Sequence, residues 1–196
     1  DSVAMILSDG VGSGESAARD SGRIVDLTER ILDAGLGPDM AMLFLNGMAG
    51  AEGDENRMAT LDLCRIDLYR GECETVKAGG AAGFIKRSDR VEKIQSRQLP
   101  LGMSASEDIS EKKWQLNSGD LVILVSDGVV QNWPCGDGEY LLEQNIASLN
   151  VSPPVDLANL ILRYAIRQYS GQIQDDMTVL VTGTWKKAEA GREDIE

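Results

Sequence analysis

The middle of the chain alternates apolar and polar residues in short runs separated by turns. Residues 60–68 form one run, and residues 74–78 return after a turn at 69–72. Residues 83–86 and 91–94 repeat this arrangement. A period of two residues is that of a β-strand, and short turns join antiparallel neighbours. The sequence therefore predicts antiparallel sheets rather than alternating βαβ units.

Helical patterns occur in two blocks on either side of these strands. The first block covers residues 15–34 and 38–49, and the second covers 139–149 and 155–169. Their apolar residues recur every three or four positions. Further strands are predicted at residues 4–7, 113–116, 121–126 and 177–185. This order favours one layered α+β domain over 1–185, with 186–196 as a charged tail.

The charge of the chain excludes two classes of partner. The formal net charge is −13. Nucleic acid and anionic membrane surfaces both require clustered Lys and Arg. No apolar run approaches the roughly 18–20 residues that a membrane-spanning helix requires. We therefore expect a domain that contacts neither nucleic acid nor membrane.

The cysteines indicate the cellular compartment of the domain, and the first residue indicates that it is part of a longer protein. Cys64, Cys73 and Cys135 form no CxxC pair, and a chain without histidine does not favour structural zinc. Reduced thiols are typical of the cytoplasm. The chain begins at Asp1 without Met and enters a strand almost at once. We expect a cytoplasmic segment of a longer protein, with further N-terminal strands upstream, and the sequence leaves open whether that protein is tethered to a membrane.

One local pattern occurs twice. Residues 5–11 read MILSDGV and residues 123–129 read ILVSDGV, so an apolar strand delivers Asp9 or Asp127 at its end. Asp175-Asp176 directly precedes another strand. Carboxylates at neighbouring strand ends suit hard cations such as Mg²⁺ or Mn²⁺. Asp-Gly is also a common turn pair, so these residues alone leave a turn and a metal ligand both open.

Six short motifs follow one another along the chain. They are Ser8-Asp9-Gly10-Val11-Gly12-Ser13-Gly14, Thr60-Leu61-Asp62-Leu63, Gly83-Phe84-Ile85-Lys86-Arg87, Leu99-Pro100-Leu101-Gly102, Ser126-Asp127-Gly128-Val129 and Asp175-Asp176-Met177-Thr178-Val179. The ordered set resembles the protein phosphatase 2C-like superfamily. Within it, the similarity is greatest to the phosphatase domains of the stage II sporulation protein E family.

This resemblance implies a fold and a metal site. The fold would be an α-β-β-α sandwich of two antiparallel sheets flanked by helices, with two Mn²⁺ or Mg²⁺ ions in the cleft between the sheets. Asp9 would bridge the ions, the Gly10 carbonyl would bind one of them, and Asp127 and Asp175 would complete the carboxylate set. Asp176 would be a neighbour that supports these ligands.

The resemblance also implies an activity. Asp9, Asp127 and Asp175 would carry metal-dependent hydrolysis of protein phosphoserine, in which a hydroxide bridging the two ions attacks phosphorus. The implied substrate is a phosphorylated anti-sigma-factor antagonist that controls sigma-factor activation in sporulation.

The sequence departs from the wider superfamily in three places. An upstream strand that supplies a further acidic residue is absent from this chain. Val11 stands where many relatives have histidine, so the leaving group must take its proton from water or another group. Gly79-Gly80-Ala81-Ala82 lacks the aspartate that binds a third metal in many relatives, which disfavours a three-metal mechanism.

Two other functions remain open from the sequence. Residues 12–17 match the G-x-G-x-x-A fingerprint of a Rossmann-type dinucleotide-binding domain, although the predicted helix at 38–48 occupies the place of its second strand. A catalytically inactive phosphatase-like docking domain is the second alternative.

Two features have a plain and a functional interpretation. The helices at 15–34 and 38–49 either cover the sheet or form a movable homodimer element. Asp62 either faces solvent or supports the metal site and its substrate.

Overall fold

The chain is described by a computed structural model. The structure describes residues 1–51, 59–96, 98–103, 111–131, 133–134, 136–150, 153–169, 173 and 175–185. The predicted tail at 186–196 and Cys135 lie outside these residues.

One sheet carries the first acidic motif. Its order is β1-β2-β3-β6, and every neighbouring pair is antiparallel. The strands are β1 (Ser2–Leu7), β2 (Leu61–Asp67), β3 (Glu72–Ala78) and β6 (Lys112–Gln115). β1 lies at the edge, so most of its residues remain partly or fully exposed, and among them only Met5 is buried. The apolar run at residues 4–7 predicts a buried strand, and the edge position explains why β1 is largely exposed instead.

The other sheet carries the second acidic motif. Its order is β5-β4-β7-β8, again with antiparallel neighbours. The strands are β4 (Gly83–Lys86), β5 (Val91–Ile94), β7 (Leu121–Val125) and β8 (Val179–Gly183). All five residues of β7 are buried, because the other sheet covers one face and helices cover the opposite face. A one-turn 3₁₀ helix, Asp127–Val129, follows β7 directly.

The two sheets bury one apolar layer between them. Met5, Cys64 and Ile66 face Ile85, Val122 and Leu124 across this layer. Each fully buried aliphatic side chain contributes about 1.5–3 kcal/mol, so this layer fixes the distance between the sheets. The packing of this layer therefore also sets the width of the cleft between the two sheets.

Two helices cover the outer face of the first sheet. They are α1 (Glu15–Asp33) and α2 (Pro38–Ala51), close to their predicted bounds. Gly35 has a positive φ of 84° just beyond α1, a conformation that glycine adopts without strain. α1 packs through the predicted face that includes Ile24 and Ile31.

The buried face of α2 differs from the predicted one. The sequence favoured Met40, Leu43, Phe44 and Met48 as its apolar face, whereas Ala41, Met42 and Leu45 are the buried residues. Leu43, Phe44 and Met48 are 42%, 48% and 39% exposed. Because α2 is apolar on nearly every side, its periodicity does not specify which side packs on the sheet.

Two further helices cover the second sheet. They are α3 (Gly138–Ser148) and α4 (Pro154–Gln168), each within one residue of its predicted bounds. Leu142, Ile146, Leu157 and Ile161 pack with Phe84 and Ile123 of the sheet. The predicted α-β-β-α sandwich is therefore confirmed, and the antiparallel pairs throughout the described strands exclude the Rossmann alternative. No helix in the described ranges is both long and apolar enough to cross a membrane.

Candidate metal centre

Asp9 and Asp127 meet although they lie in different sheets. Asp9 follows β1 by two residues and Asp127 follows β7 by two residues. Both residues line the same small cleft, with their carboxyl groups close together. The duplicated Ser-Asp-Gly unit thus delivers two carboxylates to one end of the cleft, as the sequence predicts.

Thr60 holds the backbone of the Asp9 loop. Its N–H donates to the Asp9 carbonyl at 2.7 Å, and its Oγ1 accepts the Asp9 N–H at 2.9 Å. Ser8 Oγ donates to the Thr60 carbonyl at 2.7 Å. These three bonds extend the contact between β1 and β2 to the site. Asp9 is therefore attached to the sheet rather than placed on a free loop.

Gly10 lets the chain approach the start of α1 closely. A Cβ at this position would lie 2.1 Å from the Ala17 carbonyl oxygen, which no side chain tolerates without a backbone shift. The glycine therefore links the Asp9 loop to α1.

The turn after β7 orients Asp127. The Asp127 carbonyl accepts the N–H groups of Val130 and Gln131 at 2.9 and 2.8 Å. Gln131 Nε2 donates to Asp127 Oδ2 at 2.6 Å, whereas Asp127 Oδ1 is buried and has no donor among the described residues. Tyr169 Oη donates to the carbonyls of Gly128, at 2.9 Å, and Gln131, which holds the turn in place. One carboxylate oxygen is thus fixed and the other is left for a ligand.

Asp175 and Asp176 lie beside this turn and are exposed. The Asp176 N–H donates to Asp175 Oδ1 at 2.8 Å. A Cβ on Gly128 would lie 2.3 Å from the Asp176 carbonyl oxygen and 3.2 Å from Asp175 Cβ. Only glycine at 128 therefore allows this acidic turn to approach Asp127 so closely.

Three neighbouring carboxylates disfavour the charged form of Asp9. Partial burial, the contact with Asp127 and the charges of Asp127, Asp175 and Asp176 raise the pKa of Asp9 to about 6. A divalent cation would relieve this repulsion, and oxygen donors are what Mg²⁺ and Mn²⁺ prefer. The partnerless Asp127 Oδ1 and the donor chemistry thus fit such an ion.

The acidic side chains do not form a closed cage. Within the described ranges, no group of three or more Asp, Glu, His or Cys side chains is close enough to hold an ion as it stands. Asp9 and Asp127 are in contact, while Asp175 and Asp176 act on Asp9 through their charge. The structure thus brings the predicted carboxylates together without arranging them as a finished coordination shell.

Asp62 does not face solvent, so that sequence interpretation is wrong. It is 3% exposed and forms an ion pair with Lys77, which is equally buried. Asp62 lines the same small cleft as Asp9 and Asp127. Its predicted supporting role at the metal site remains a prediction.

Sequence reasoning missed several residues that hold the site. Thr60, just before β2, and Tyr169, just after α4, contact the acidic loops from distant parts of the chain. Gln131 lies four residues after Asp127 in the same turn, and no local pattern marks Gln131 or Tyr169. Thr60 does stand in one of the ordered motifs, and serine precedes aspartate in both acidic motifs. Those two signals were available.

Two antiparallel sheets, helices outside both of them and paired acidic loops at the cleft are the architecture of protein phosphatase 2C-type domains. A sequence model of one family, stage II sporulation protein E (SpoIIE), matches residues 1–184. The chain belongs to this family.

Individual relatives agree with this membership. Stage II sporulation protein E of Bacillus subtilis is 35% identical over 179 residues, which are 91% of this chain and 22% of the relative. This chain therefore spans about a fifth of that protein. The solved phosphatase domain of SpoIIE from Bacillus subtilis, with a fragment of its regulatory domain, superposes with a TM-score of 0.85. That structure is 34% identical, and the match covers 92% of this chain and 54% of the solved one.

A more distant relative has a named activity. Phosphoserine phosphatase RsbU of Bacillus subtilis is 22% identical over 188 residues, covering 92% of this chain and 55% of RsbU.

Proposed function

We propose that this chain hydrolyses phosphoserine or phosphothreonine on a regulatory protein and requires two divalent cations, Mn²⁺ or Mg²⁺. The observation that carries the proposal is that Asp9 and Asp127, which follow strands of two different sheets, line one cleft. Phosphatases of this class are metal-dependent, and the relative RsbU is a phosphoserine phosphatase.

Each acidic residue has a role in this proposal. Asp9 would be shared between the cations, the Gly10 carbonyl would bind one of them, and Asp127 and Asp175 would complete the set. Asp176 fixes one oxygen of Asp175 through its N–H. When bound, the cations supply Lewis acidity, which lowers the pKa of water and offsets charge on the phosphoryl oxygens.

The other residues of the site position these ligands. Gln131 holds Asp127 Oδ2, while the buried Oδ1 has no donor among the described residues. Thr60 prevents the Asp9 loop from moving away from β2. With Val11 in place of a histidine, the serine leaving group would take its proton from water or another group.

The proposed substrate is a phosphorylated anti-sigma-factor antagonist. Membership of a sporulation family supports this choice, as does the phosphoserine activity of RsbU. We place the domain in the cytoplasm, within a membrane-tethered parent protein.

Removal of metal is expected to abolish hydrolysis by the purified chain. Phosphate release from a phosphoserine anti-sigma-factor antagonist should follow added Mn²⁺ with a saturable dependence, fall to background with excess EDTA and return when Mn²⁺ is restored. The physical reason is that the chain has no histidine and brings carboxylates together as its candidate catalytic groups. Release of inorganic phosphate measures the reaction.

A phosphotyrosine protein is the matched negative substrate. Hydrolysis that continues in EDTA would contradict the metal requirement. Mn²⁺ binding without hydrolysis of any phosphoserine protein would instead favour the inactive docking domain, an alternative consistent with the absence of a closed cage among the described side chains.

We also place a homodimer contact on helices 15–34 and 38–49. Leu43, Phe44 and Met48 form an exposed apolar stripe on α2, and Gly10 packs against the first turns of α1. A partner on these helices would therefore be linked to the Asp9 loop, and its movement could switch activity. The exposed apolar stripe is the support for the proposed homodimer contact.

Replacing Phe44 with aspartate is expected to weaken self-association at least tenfold, because the variant places a charge in an apolar contact. Sedimentation velocity across a concentration series measures the dimer constant. Val155→Asp, at an exposed apolar position on α4, is the control and should leave association unchanged. An equal dimer constant for wild type and Phe44→Asp would contradict the contact.

A further inference from the structure

The serine of each Ser-Asp-Gly unit has no part in metal binding as proposed. Ser126 is nevertheless 8% exposed, and its hydroxyl makes two hydrogen bonds. Ser126 Oγ donates to the Asp176 carbonyl at 3.1 Å and accepts the Thr178 N–H at 2.9 Å. One hydroxyl thus contacts both ends of the segment 176–178.

This contact lies where the ladder between β7 and β8 stops. The last paired residues of the two strands are Val125 and Val179, and the Ser126 N–H adds one bond to the Thr178 carbonyl at 3.0 Å. On the N-terminal side of Val179, the segment 175–178 is outside this ladder and approaches the turn of Asp127. The Ser126 hydroxyl there bonds the Thr178 N–H and the Asp176 carbonyl, two backbone groups that no neighbouring strand among the described residues pairs with at this point.

The segment 175–178 carries Asp175 and Asp176 to the turn of Asp127. Ser126 precedes Asp127 directly, so its hydroxyl connects the Asp127 turn to the Asp175-Asp176 segment. Gly128 provides the space on the other side of Asp127, where the Asp176 carbonyl approaches the backbone. The hydroxyl and the glycine therefore set the separation of the two segments.

The first copy of the unit uses its serine in the same way. Ser8 Oγ donates to the carbonyl of Thr60, the residue just before β2. In both copies the serine bonds to backbone that directly precedes the neighbouring strand, and the aspartate follows. This recurrence favours a positioning role over an incidental surface contact.

We infer that Ser126 is a positioning residue that sets the distance between Asp127 and the Asp175-Asp176 turn, and thereby the affinity for divalent cations. This inference rests on the proposed function. Residues that orient metal ligands typically change metal affinity by roughly 10- to 100-fold when they are replaced.

The test measures Mn²⁺ binding to the whole chain, without substrate, by electron paramagnetic resonance of free Mn²⁺. Ser126→Ala removes both hydroxyl bonds and is expected to weaken Mn²⁺ binding roughly 10- to 100-fold. Ser126→Thr keeps a hydroxyl and should bind within about threefold of wild type. Ser148→Ala is the matched control, since it removes a serine hydroxyl bond to the backbone in α3, away from the site.

Hydrogen exchange in the metal-free proteins provides a second readout. The Thr178 amide should exchange faster in Ser126→Ala than in wild type or Ser126→Thr, because its acceptor is gone. If Ser126→Ala does not fold, Ser126→Cys replaces it. A thiol is similar in size to a hydroxyl but forms only weak hydrogen bonds. Ser126→Cys should therefore also weaken Mn²⁺ binding and speed exchange of the Thr178 amide, by smaller factors than Ser126→Ala.

Two outcomes separate this inference from the proposed function. Wild-type binding of Mn²⁺ with an unchanged constant in folded Ser126→Ala, or in Ser126→Cys where that variant is used, would overturn the role of Ser126 alone. A wild-type chain that binds no Mn²⁺ would overturn the proposed function and the inference with it.

Discussion

Asp127→Asn is expected to lower Mn²⁺-dependent phosphate release by roughly 100- to 1000-fold, the order observed when one charge-stabilising group is removed from an active site. Asparagine has the shape of aspartate and still accepts the hydrogen bond from Gln131. Asparagine lacks the negative charge that Asp127 carries. In wild type the buried Oδ1 of this carboxylate accepts no hydrogen bond from any described residue. Initial rates at saturating Mn²⁺ measure the effect.

The thermal stability of the metal-free Asp127→Asn variant should not fall with its activity. Asp127 raises the pKa of Asp9 by contact and by charge, so the metal-free wild type contains a repulsion that Asp127→Asn reduces. The metal-free variant is therefore expected to unfold at the same temperature as wild type or slightly higher, and to lose the further rise that Mn²⁺ gives wild type. Calorimetric scans with and without Mn²⁺ measure both quantities.

Asp156→Asn is the control for a lost carboxylate. Asp156 is exposed in the first turn of α4, away from the cleft, and its replacement should leave the rate unchanged. An Asp127→Asn variant with the wild-type rate would overturn the assignment of Asp127 as a ligand. A variant that fails to unfold cooperatively would show instead that the substitution damages the fold.

The helices and the acidic motifs were predictable because their signals are local. The apolar spacing of α1 and Gly35 beyond its end lie within one short segment. Strand, serine, aspartate and glycine follow one another in each acidic unit, so the strand end that carries Asp9 or Asp127 could be read directly. The meeting of the two units followed from the ordered motif set.

The surroundings of Asp62 were not predictable from alternation alone. Leu61 and Leu63 pack under α1 and α2, while Asp62 and Cys64 lie on the opposite face of β2. An alternating strand normally turns its polar face to water. Here the second sheet covers that face, and nothing local in the sequence shows that a strand is covered on both sides.

The partners of the acidic residues are also distant along the chain. Tyr169 reaches the Asp127 turn from 41 residues away, counted from Gly128, and Thr60 reaches Asp9 from 51 residues away. Sheet order decides which strand end each of them meets. Periodicity predicts the strands themselves, but it does not specify that order.

Lys77→Met is expected to lower the free energy of unfolding by about 3–5 kcal/mol at pH 7.5, the usual cost of breaking a buried ion pair. Asp62 and Lys77 are each 3% exposed and form an ion pair in the layer between the sheets. Methionine fills the space of the lysine stem but leaves the Asp62 carboxylate without its cation. Urea denaturation measures the loss.

The loss should shrink as the pH falls, which distinguishes a charge effect from a packing effect. Burial raises the pKa of Asp62 to about 6, even though Lys77 lowers it, so removing Lys77 raises this pKa further. A carboxyl group whose pKa is higher in the folded than in the unfolded protein destabilises the fold increasingly as the pH rises from the unfolded pKa through the folded pKa. The penalty is lost as the group takes up a proton, so the deficit of Lys77→Met should be smaller at pH 5 than at pH 7.5.

Two controls complete this measurement. Lys113→Met removes the exposed partner of Glu74 and should change stability by no more than about 0.5 kcal/mol. Asp62→Leu combined with Lys77→Met removes both charges, and it should recover most of the loss because a buried pair replaced by apolar residues is often neutral or stabilising. An equal deficit for the single and double variants, constant between pH 5 and 7.5, would show that Lys77 acts through packing and that its charge is not needed beside the cleft.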